Sequence, residues 1–185
     1  MSIYKLYFIA IGLIIGTTNL SASNPIIDSL VNELEISKTE SDRAEILIQL
    51  SKATYYNEPK RGLEFAEEAL SLSEKLDDLT LKAESNLCVS NAKFALGEYE
   101  ISRVSAESCA NISKQIGLEE LAIDSYLMIG RIYLLTGKVD SAETYFQKSR
   151  ELGEKEGYKK GLGQAAIGLG DVAESKGDND DAMDL

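Results

Sequence analysis

The sequence of 185 residues contains no histidine, no tryptophan, only two prolines and only two cysteines. Without histidine the chain lacks the commonest general base of enzymes and a favoured zinc ligand. It also lacks a glycine-rich phosphate loop after a strand, and its cysteines do not have the paired spacing of a metal site. We therefore expect no enzymatic activity, no catalytic residue, no bound metal and no cofactor.

Basic residues are also scarce, with 19 Lys and Arg against 31 Asp and Glu, giving a net charge of −12. A surface this acidic repels nucleic acid and anionic lipid, so neither is an expected partner of the mature protein. Scarce proline together with abundant Ala, Leu, Glu and Lys favours helices. The hydrophobic content of 44% is that of a folded protein.

Residues 1–23 differ from the rest of the chain. Lys5 precedes the apolar run "LYFIAIGLIIG", which is followed by small residues at Ser21, Ala22 and Ser23. This order is typical of a secretory signal peptide, and the apolar run is shorter than the roughly 20 residues of a spanning helix. We expect cleavage near Ala22 or Ser23 and an exported protein, periplasmic or extracellular; an uncleaved membrane anchor is the alternative.

Small residues recur at a nearly constant interval in the rest of the sequence. Ser51, Ser90, Gly130 and Gly170 are separated by 39, 40 and 40 residues. Three of them are followed seven residues later by a glycine, at positions 97, 137 and 177. A fixed period of this length indicates a repeat architecture.

Each unit has the pattern of two helices. In the third unit, apolar residues from Tyr126 to Tyr133 follow a helical spacing, and Gly137 is expected to end that helix in the left-handed conformation. A second amphipathic run follows at once, and so short a connection makes the helices antiparallel neighbours. Glycine in a helix costs about 1 kcal/mol relative to alanine. We expect Gly130 to face Ala142 where the helices approach closely, so that tight packing offsets this cost.

The third unit resembles a tetratricopeptide repeat, whose pattern is a large residue, Leu–Gly, Tyr, Gly, Ala, an aromatic and Ala. The matching residues are Tyr126, Ile129, Gly130, Tyr133, Gly137, Ala142 and Phe146, with Ser149 at the last position. The resemblance covers about residues 40–185, and its spacing is that of the long-helix variety common in signalling and scaffold proteins. It implies an all-α fold, an α-solenoid of antiparallel helix pairs wound into a right-handed superhelix.

The chain divides as follows: signal peptide 1–23, N-terminal capping helix 24–38, and repeat units 40–78, 79–117, 118–157 and 158–185. The last unit is incomplete, because its second helix would begin near Asp178, after a turn at Gly177. The acidic stretch there lacks the glycine and the distal glutamate of a calcium loop, so we interpret it as the first turn of that helix. Because a solenoid end needs a polar cap, we expect a longer natural protein, or self-association through the uncapped end.

The resemblance implies that the first helices of the units line a concave surface that binds extended or helical peptides. Repeat register places these candidate binding residues on it: Lys52, Tyr55, Leu87, Asn91, Phe94, Leu127, Met128, Arg131, Leu135 and Asp171. It adds Glu45, Ile48, Glu84, Asp124, Gln164 and Ile167. Packing between helices is the alternative role at each position. The register also directs Cys88 toward this surface and Cys109 between helices, which favours unpaired thiols over a disulfide.

We therefore expect a non-catalytic scaffold that binds a protein or peptide after export. The alternative comes from the resemblance of exported long repeats to the sensory N-terminal half of bacterial membrane signalling proteins. In that case a histidine kinase, DNA-binding or cyclase output domain would lie beyond residue 185.

Overall fold

Helices account for the whole architecture of the part of the chain that the computed structural model describes, which is the backbone of residues 24–183 and the side chains of residues 24–177. The helices are α1 (Pro25–Ile36), α2 (Glu40–Thr54), α3 (Pro59–Leu76), α4 (Leu79–Ala95), α5 (Tyr99–Ile116), α6 (Glu119–Leu135), α7 (Val139–Glu156) and α8 (Lys159–Met183). No strand occurs among residues 24–183, and the predicted all-α class is confirmed. The predicted signal peptide and the acidic side chains from residue 178 onward lie outside the described residues.

The helices form an inner and an outer layer. Each helix packs on the next along the chain, and α2 also contacts α4, α4 contacts α6, and α6 contacts α8. Within the described residues, by contrast, α3, α5 and α7 do not contact one another. The stack therefore curves around α2, α4, α6 and α8, which form the inner layer, as expected for an α-solenoid.

The N-terminal helix α1 packs on α2 alone. The buried or half-buried residues of α1 are apolar and follow a helical spacing: Ile27, Leu30, Val31 and Leu34. Leu34 extends the hydrophobic cluster formed by α2, α3 and α4. The side chain of Asn24 caps the helix by accepting a hydrogen bond from the backbone of Ile26.

Left-handed residues end the helices of both layers. Gly97 and Gly137 follow inner helices with φ of 77° and 72°, and Gly117 and Gly157 follow outer helices with φ of 74° and 70°. Glycine adopts this conformation without the steric penalty of a Cβ atom. Asp77 takes the same role after α3 with φ of 52°, which a short polar side chain tolerates. The predicted turn at Gly137 is confirmed.

The predicted turn at Gly177 is wrong, because α8 continues through this glycine to Met183 as a single helix. The expected second helix from near Asp178 is therefore absent between residues 178 and 183. A left-handed turn gives up helical hydrogen bonds, and in the earlier units the packing of a returning helix offsets that loss. Between residues 178 and 183 no returning helix packs against α8 to offset that loss.

An aromatic ring is held between two glycines where α6, α7 and α8 meet. Phe146 on α7 is 1% exposed. A Cβ atom added to Gly130 on α6 would lie 2.7 Å from its ring, and one added to Gly168 on α8 would lie 2.5 Å from it. The close approach expected at Gly130 is present, but its nearest partner is the ring of Phe146 rather than Ala142. The missing methyl group makes room for the ring.

The corresponding crossings in the earlier units use other small residues. In the second unit, the hydroxyls of Ser90 and Ser102 lie 3.0 Å apart, and that of Ser102 donates to the carbonyl of Ser90 at 2.8 Å. In the first unit, a Cβ added to Gly62 would lie 2.5 Å from the Cα of Tyr55. The two helices of each unit therefore pack closely, but each unit uses different small residues to allow it.

Both cysteines are buried and unpaired. The expectation that Cys88 faces the concave surface is wrong: it is 1% exposed, and its Sγ lies 3.9 Å from the carbonyl oxygen of Ile48 on α2. The reason is that α2 packs against α4 on the side that Cys88 occupies. Burial raises the pKa of the Cys88 thiol to about 12 and also raises the pKa of Cys109, so neither forms a reactive thiolate at neutral pH.

Alanine substitutions at Gly130 and Gly170 should change stability in opposite directions, although both glycines lie inside helices at matching repeat positions. No atom lies within 4 Å of a Cβ added to Gly170, so Gly170→Ala should raise the free energy of unfolding by about 0.5–1 kcal/mol through helix propensity. Gly130→Ala should lower it, because overpacking against Phe146 costs about 1–3 kcal/mol. Urea denaturation followed by circular dichroism measures both changes, and equal stabilisation at the two sites would contradict the packing described.

Candidate peptide-binding groove

The inner layer carries a groove that runs along α6 from its first turn to its last. Three cavities make up most of it. The acidic cavity, of about 490 Å³, is lined by residues that include Lys52, Glu84, Glu119, Glu120, Asp124, Glu156 and Tyr158. The central cavity, of about 140 Å³, is lined by Tyr55, Leu87, Asn91, Asp124, Leu127, Met128, Arg131, Lys160 and Gln164. The apolar cavity, of about 260 Å³, is lined by Phe94, Arg131, Leu134, Leu135, Phe146, Gln164, Ile167, Gly168 and Asp171.

The three cavities form one surface because they share lining residues. Asp124 lines both the acidic and the central cavity. Arg131 and Gln164 line both the central and the apolar cavity. A single ligand that follows α6 would therefore meet all three.

All ten residues predicted from register line one of these cavities. Lys52 belongs to the acidic cavity; Tyr55, Leu87, Asn91, Leu127 and Met128 to the central one; Arg131 to the central and apolar ones; Phe94, Leu135 and Asp171 to the apolar one. Their exposure differs widely: Leu127 is 2% exposed, whereas Leu135 is 60% exposed. The buried members form the floor of the groove, whereas the exposed ones are accessible to a ligand; that they bind one remains a prediction.

Register did not identify the residues at the connections between units. Glu119 and Glu120 follow the turn at Gly117, and Tyr158 and Lys160 follow the turn at Gly157. These connections return the chain from the outer layer to the inner one, so they deliver side chains to the end of the groove. The available signal was the charged pair after each turn, "EE" and "KK".

The acidic cavity has five lining carboxylates and one lysine. That lysine, Lys52 on α2, donates to the carboxylate of Glu84 on α4 at 2.8 Å. Partial burial alone would lower the pKa of Lys52, but its hydrogen bond to Glu84 and the nearby carboxylates outweigh this and raise it. Lys52 therefore stays charged, and its charge is already matched by Glu84.

Asp124 links α6 to the start of α8. Its two carboxylate oxygens each lie 3.4 Å from the hydroxyl of Tyr158, and one lies 3.7 Å from the Nζ of Lys160. Burial raises the pKa of Asp124, while Lys160 and Tyr158 act in the opposite direction. The groove thus contains a carboxylate that is partly desolvated and only loosely paired.

The central cavity offers groups suited to a peptide backbone. Asn91 and Gln164 carry amides, each of which both donates and accepts hydrogen bonds. Arg131 is exposed and forms no ion pair with the described side chains. No cluster of His, Cys, Asp or Glu with the geometry of a metal site occurs between residues 24 and 177.

None of the helices in the described part of the chain has both the length and the apolar character needed to cross a bilayer.

Comparison with known proteins agrees with this architecture. The family model described as Tetratricopeptide repeat matches residues 121–185, which contain most of α6 and all of α7 and α8. Among solved structures, a Rap protein in complex with competence and sporulation factor superposes with a TM-score of 0.65 at 19% sequence identity, covering 82% of this chain. The match spans 49% of the Rap chain, about half of its length. No curated protein matches the sequence.

The fold is that of a helical-repeat protein, an α-solenoid of packed helix pairs. Within that class, the family match identifies residues 121–185 as tetratricopeptide repeat, as the pattern of the third unit predicted, and the helix pairs before them continue the same architecture.

Asp124 should make the stability of this protein depend on pH in a defined direction. Its pKa in the folded state is raised, so its contribution to stability is fully present below its unfolded pKa of about 3.9 and is lost as pH rises through the folded pKa. Asp124→Asn fixes a neutral side chain. We expect the variant to melt at a higher temperature than the wild type at pH 7, with the difference narrowing as pH falls toward 4.

Thermal melts followed by circular dichroism test this expectation, with Asp171→Asn on the exposed surface of α8 as the matched control. The control should change the melting temperature little at either pH. A variant less stable than the wild type at pH 7 would show that the contacts of Asp124 with Tyr158 and Lys160 outweigh its burial.

Proposed function

We propose that this protein is a non-catalytic scaffold that binds a protein or peptide partner in the groove formed by α2, α4, α6 and α8. The observation that carries the proposal is the continuous groove along α6, in which polar groups of Asn91, Arg131 and Gln164 lie between an acidic and an apolar cavity. The groove lies on helices that pack against one another, so little conformational entropy is lost on binding. The Rap protein of similar fold is in complex with competence and sporulation factor, which supports a protein or peptide partner here.

The site of action that we propose is outside the cytoplasm, either the periplasm or the exterior of a bacterium. The support is the order of charged, apolar and small residues in positions 1–23. N-terminal sequencing of exported material should then begin near Ser23 or Asn24. Intact Met1 in the membrane fraction would instead indicate an uncleaved anchor.

A second candidate function is the sensory N-terminal part of a longer membrane signalling protein. One face of α8 favours it: Gly163, Ala166, Gly170, Ala173 and Gly177 are all exposed and recur every three or four residues. The equivalent face of α6, at Gly130, is covered by α7, so this face of α8 suits a further helix or a second copy of the chain.

The gene sequence beyond Leu185 separates these possibilities. An apolar run of roughly 20 residues followed by a kinase, DNA-binding or cyclase domain would support the sensory role. A stop codon there would contradict it, and sedimentation velocity would then show whether the exposed face forms dimers.

The groove itself is tested by site-specific photocrosslinking. A photoreactive phenylalanine analogue at Leu135, which lines the apolar cavity and is 60% exposed, should crosslink the partner in the native host. The matched control places the same analogue at Val104, which is 50% exposed on the outer helix α5.

Crosslinking from position 135 and not from position 104 would support binding in the groove. Crosslinking of the same partner from position 104 alone would place the interface on the outer layer and contradict the proposal.

A further inference from the structure

The two ends of the groove differ in chemistry, and this difference restricts the ligand that the proposed function requires. The first turn of α6 borders the acidic cavity, and its last turn borders the apolar cavity. Everything that follows rests on the proposed function, because it concerns what binds in the same groove.

The negative charge at the acidic end extends beyond one cavity. A neighbouring cavity of about 380 Å³ shares Lys52 and Glu84 with the acidic cavity and adds the carboxylates of Glu45 and Asp78. Across the two cavities, seven carboxylates face one lysine.

Only part of this negative charge is neutralised within the protein. Three of the seven carboxylates have a cationic partner: Glu84 pairs with Lys52, Asp124 lies 3.7 Å from Lys160, and Glu156 pairs with Lys155. Glu119 and Glu120 form no ion pair with the described side chains. An uncompensated field of this sign attracts a cationic group and repels an anionic one.

The opposite end presents apolar surface to solvent. Ile167 is 68% exposed and Leu135 is 60% exposed, and together with Phe94 and Leu134 they border the apolar cavity. Exposed apolar side chains that converge on a cavity indicate a place where an apolar group of a partner is buried.

The length of α6 sets the separation of the two ends. Glu120 and Leu135 are 15 positions apart on one helix, which corresponds to about 22 Å at a rise of 1.5 Å per residue. An extended peptide advances by about 3.3 Å per residue, so about six or seven residues span the groove.

We infer that the groove binds an extended peptide segment of this length with lysine or arginine at one end and a bulky apolar side chain at the other. The basic side chains lie in the acidic cavity, and the apolar side chain lies between Leu135 and Ile167. The amides of Asn91 and Gln164 in the central cavity hydrogen-bond to the backbone between them.

Selection of random heptapeptides on the immobilised protein, from residue 24 onward, tests this inference. Enriched peptides should carry Lys or Arg at one end and Leu, Ile, Met or Phe at the other. The affinity of an enriched peptide, measured by calorimetry, should fall by about tenfold or more when salt is raised from 50 to 300 mM, because exposed charges are screened.

Charge-reversal variants show which part of the protein binds the basic end of the peptide. The double variant Glu119→Lys/Glu120→Lys should bind the enriched peptide with an affinity at least tenfold lower at low salt. The matched control, Glu64→Lys/Glu67→Lys, makes the same change in net charge at exposed positions of the outer helix α3 and should weaken it by less than threefold. At the other end, Ile167→Glu should weaken binding and remove the preference for an apolar residue.

The outcomes separate the two proposals. If no heptapeptide is enriched on the wild-type protein, peptide binding by the groove fails, and this inference fails with it. If peptides are enriched without a basic end, or the α3 control weakens binding as much as the α6 variant, the inference is overturned while peptide binding stands. Enrichment of acidic peptides would overturn it most directly.

Discussion

The ring of Phe146, held between Gly130 of α6 and Gly168 of α8, is the contact on which the arrangement around the groove depends. A side chain larger than hydrogen at either glycine would overlap the ring. Phe146 is the largest fully buried side chain described, and it belongs to the cluster that joins α6, α7 and α8. Through this ring the outer helix α7 packs against both inner helices, α6 and α8. The two inner helices also remain in contact with each other.

That geometry explains why the groove lies where it does. Inner helices that touch and outer helices that do not produce a curved stack, and the groove follows the inner side of the curve. The helix starts bring carboxylates to one end. The end of α6 brings Leu134 and Leu135 to the other, where Ile167 joins them from the interior of α8. The groove is negatively charged, as is the chain as a whole. Its carboxylates are concentrated in the cavity that a ligand would occupy.

The helical repeat was predictable from the sequence because its signals are local. The spacing of apolar residues marks the helices, and the glycines that follow α4 and α6 mark the turns at positions 97 and 137. Repeat register also placed ten residues on the inner face, because a residue's face along a helix follows from its position. Register could not decide their exposure: Leu127 is buried and Leu135 is exposed on the same helix.

What the sequence could not give depends on neighbours outside the local pattern. The sequence placed Cys88 on the correct helix but predicted that its side chain faces the concave surface. The side chain packs against α2 instead, and the position of α2 does not follow from the pattern of the helix that carries Cys88. Gly177 has the spacing of a turn, yet α8 continues through it as one helix, because spacing alone does not show whether a returning helix packs there. Register placed Glu84 and Asp124 of the acidic end on the inner face, but it missed Glu119 and Glu120, because they lie at the connection between units, where the repeat pattern is weakest.

A double-mutant cycle between Gly168→Ala and Phe146→Leu tests the central contact most directly. Gly168→Ala alone should destabilise the protein by about 1–3 kcal/mol through overlap with the ring. With leucine at position 146 the added methyl group has room, so the two changes should couple by at least about 1 kcal/mol, the double variant being more stable than the sum of the single effects predicts. Additive effects, within about 0.5 kcal/mol, would show that Gly168 does not pack against Phe146 and would contradict the account.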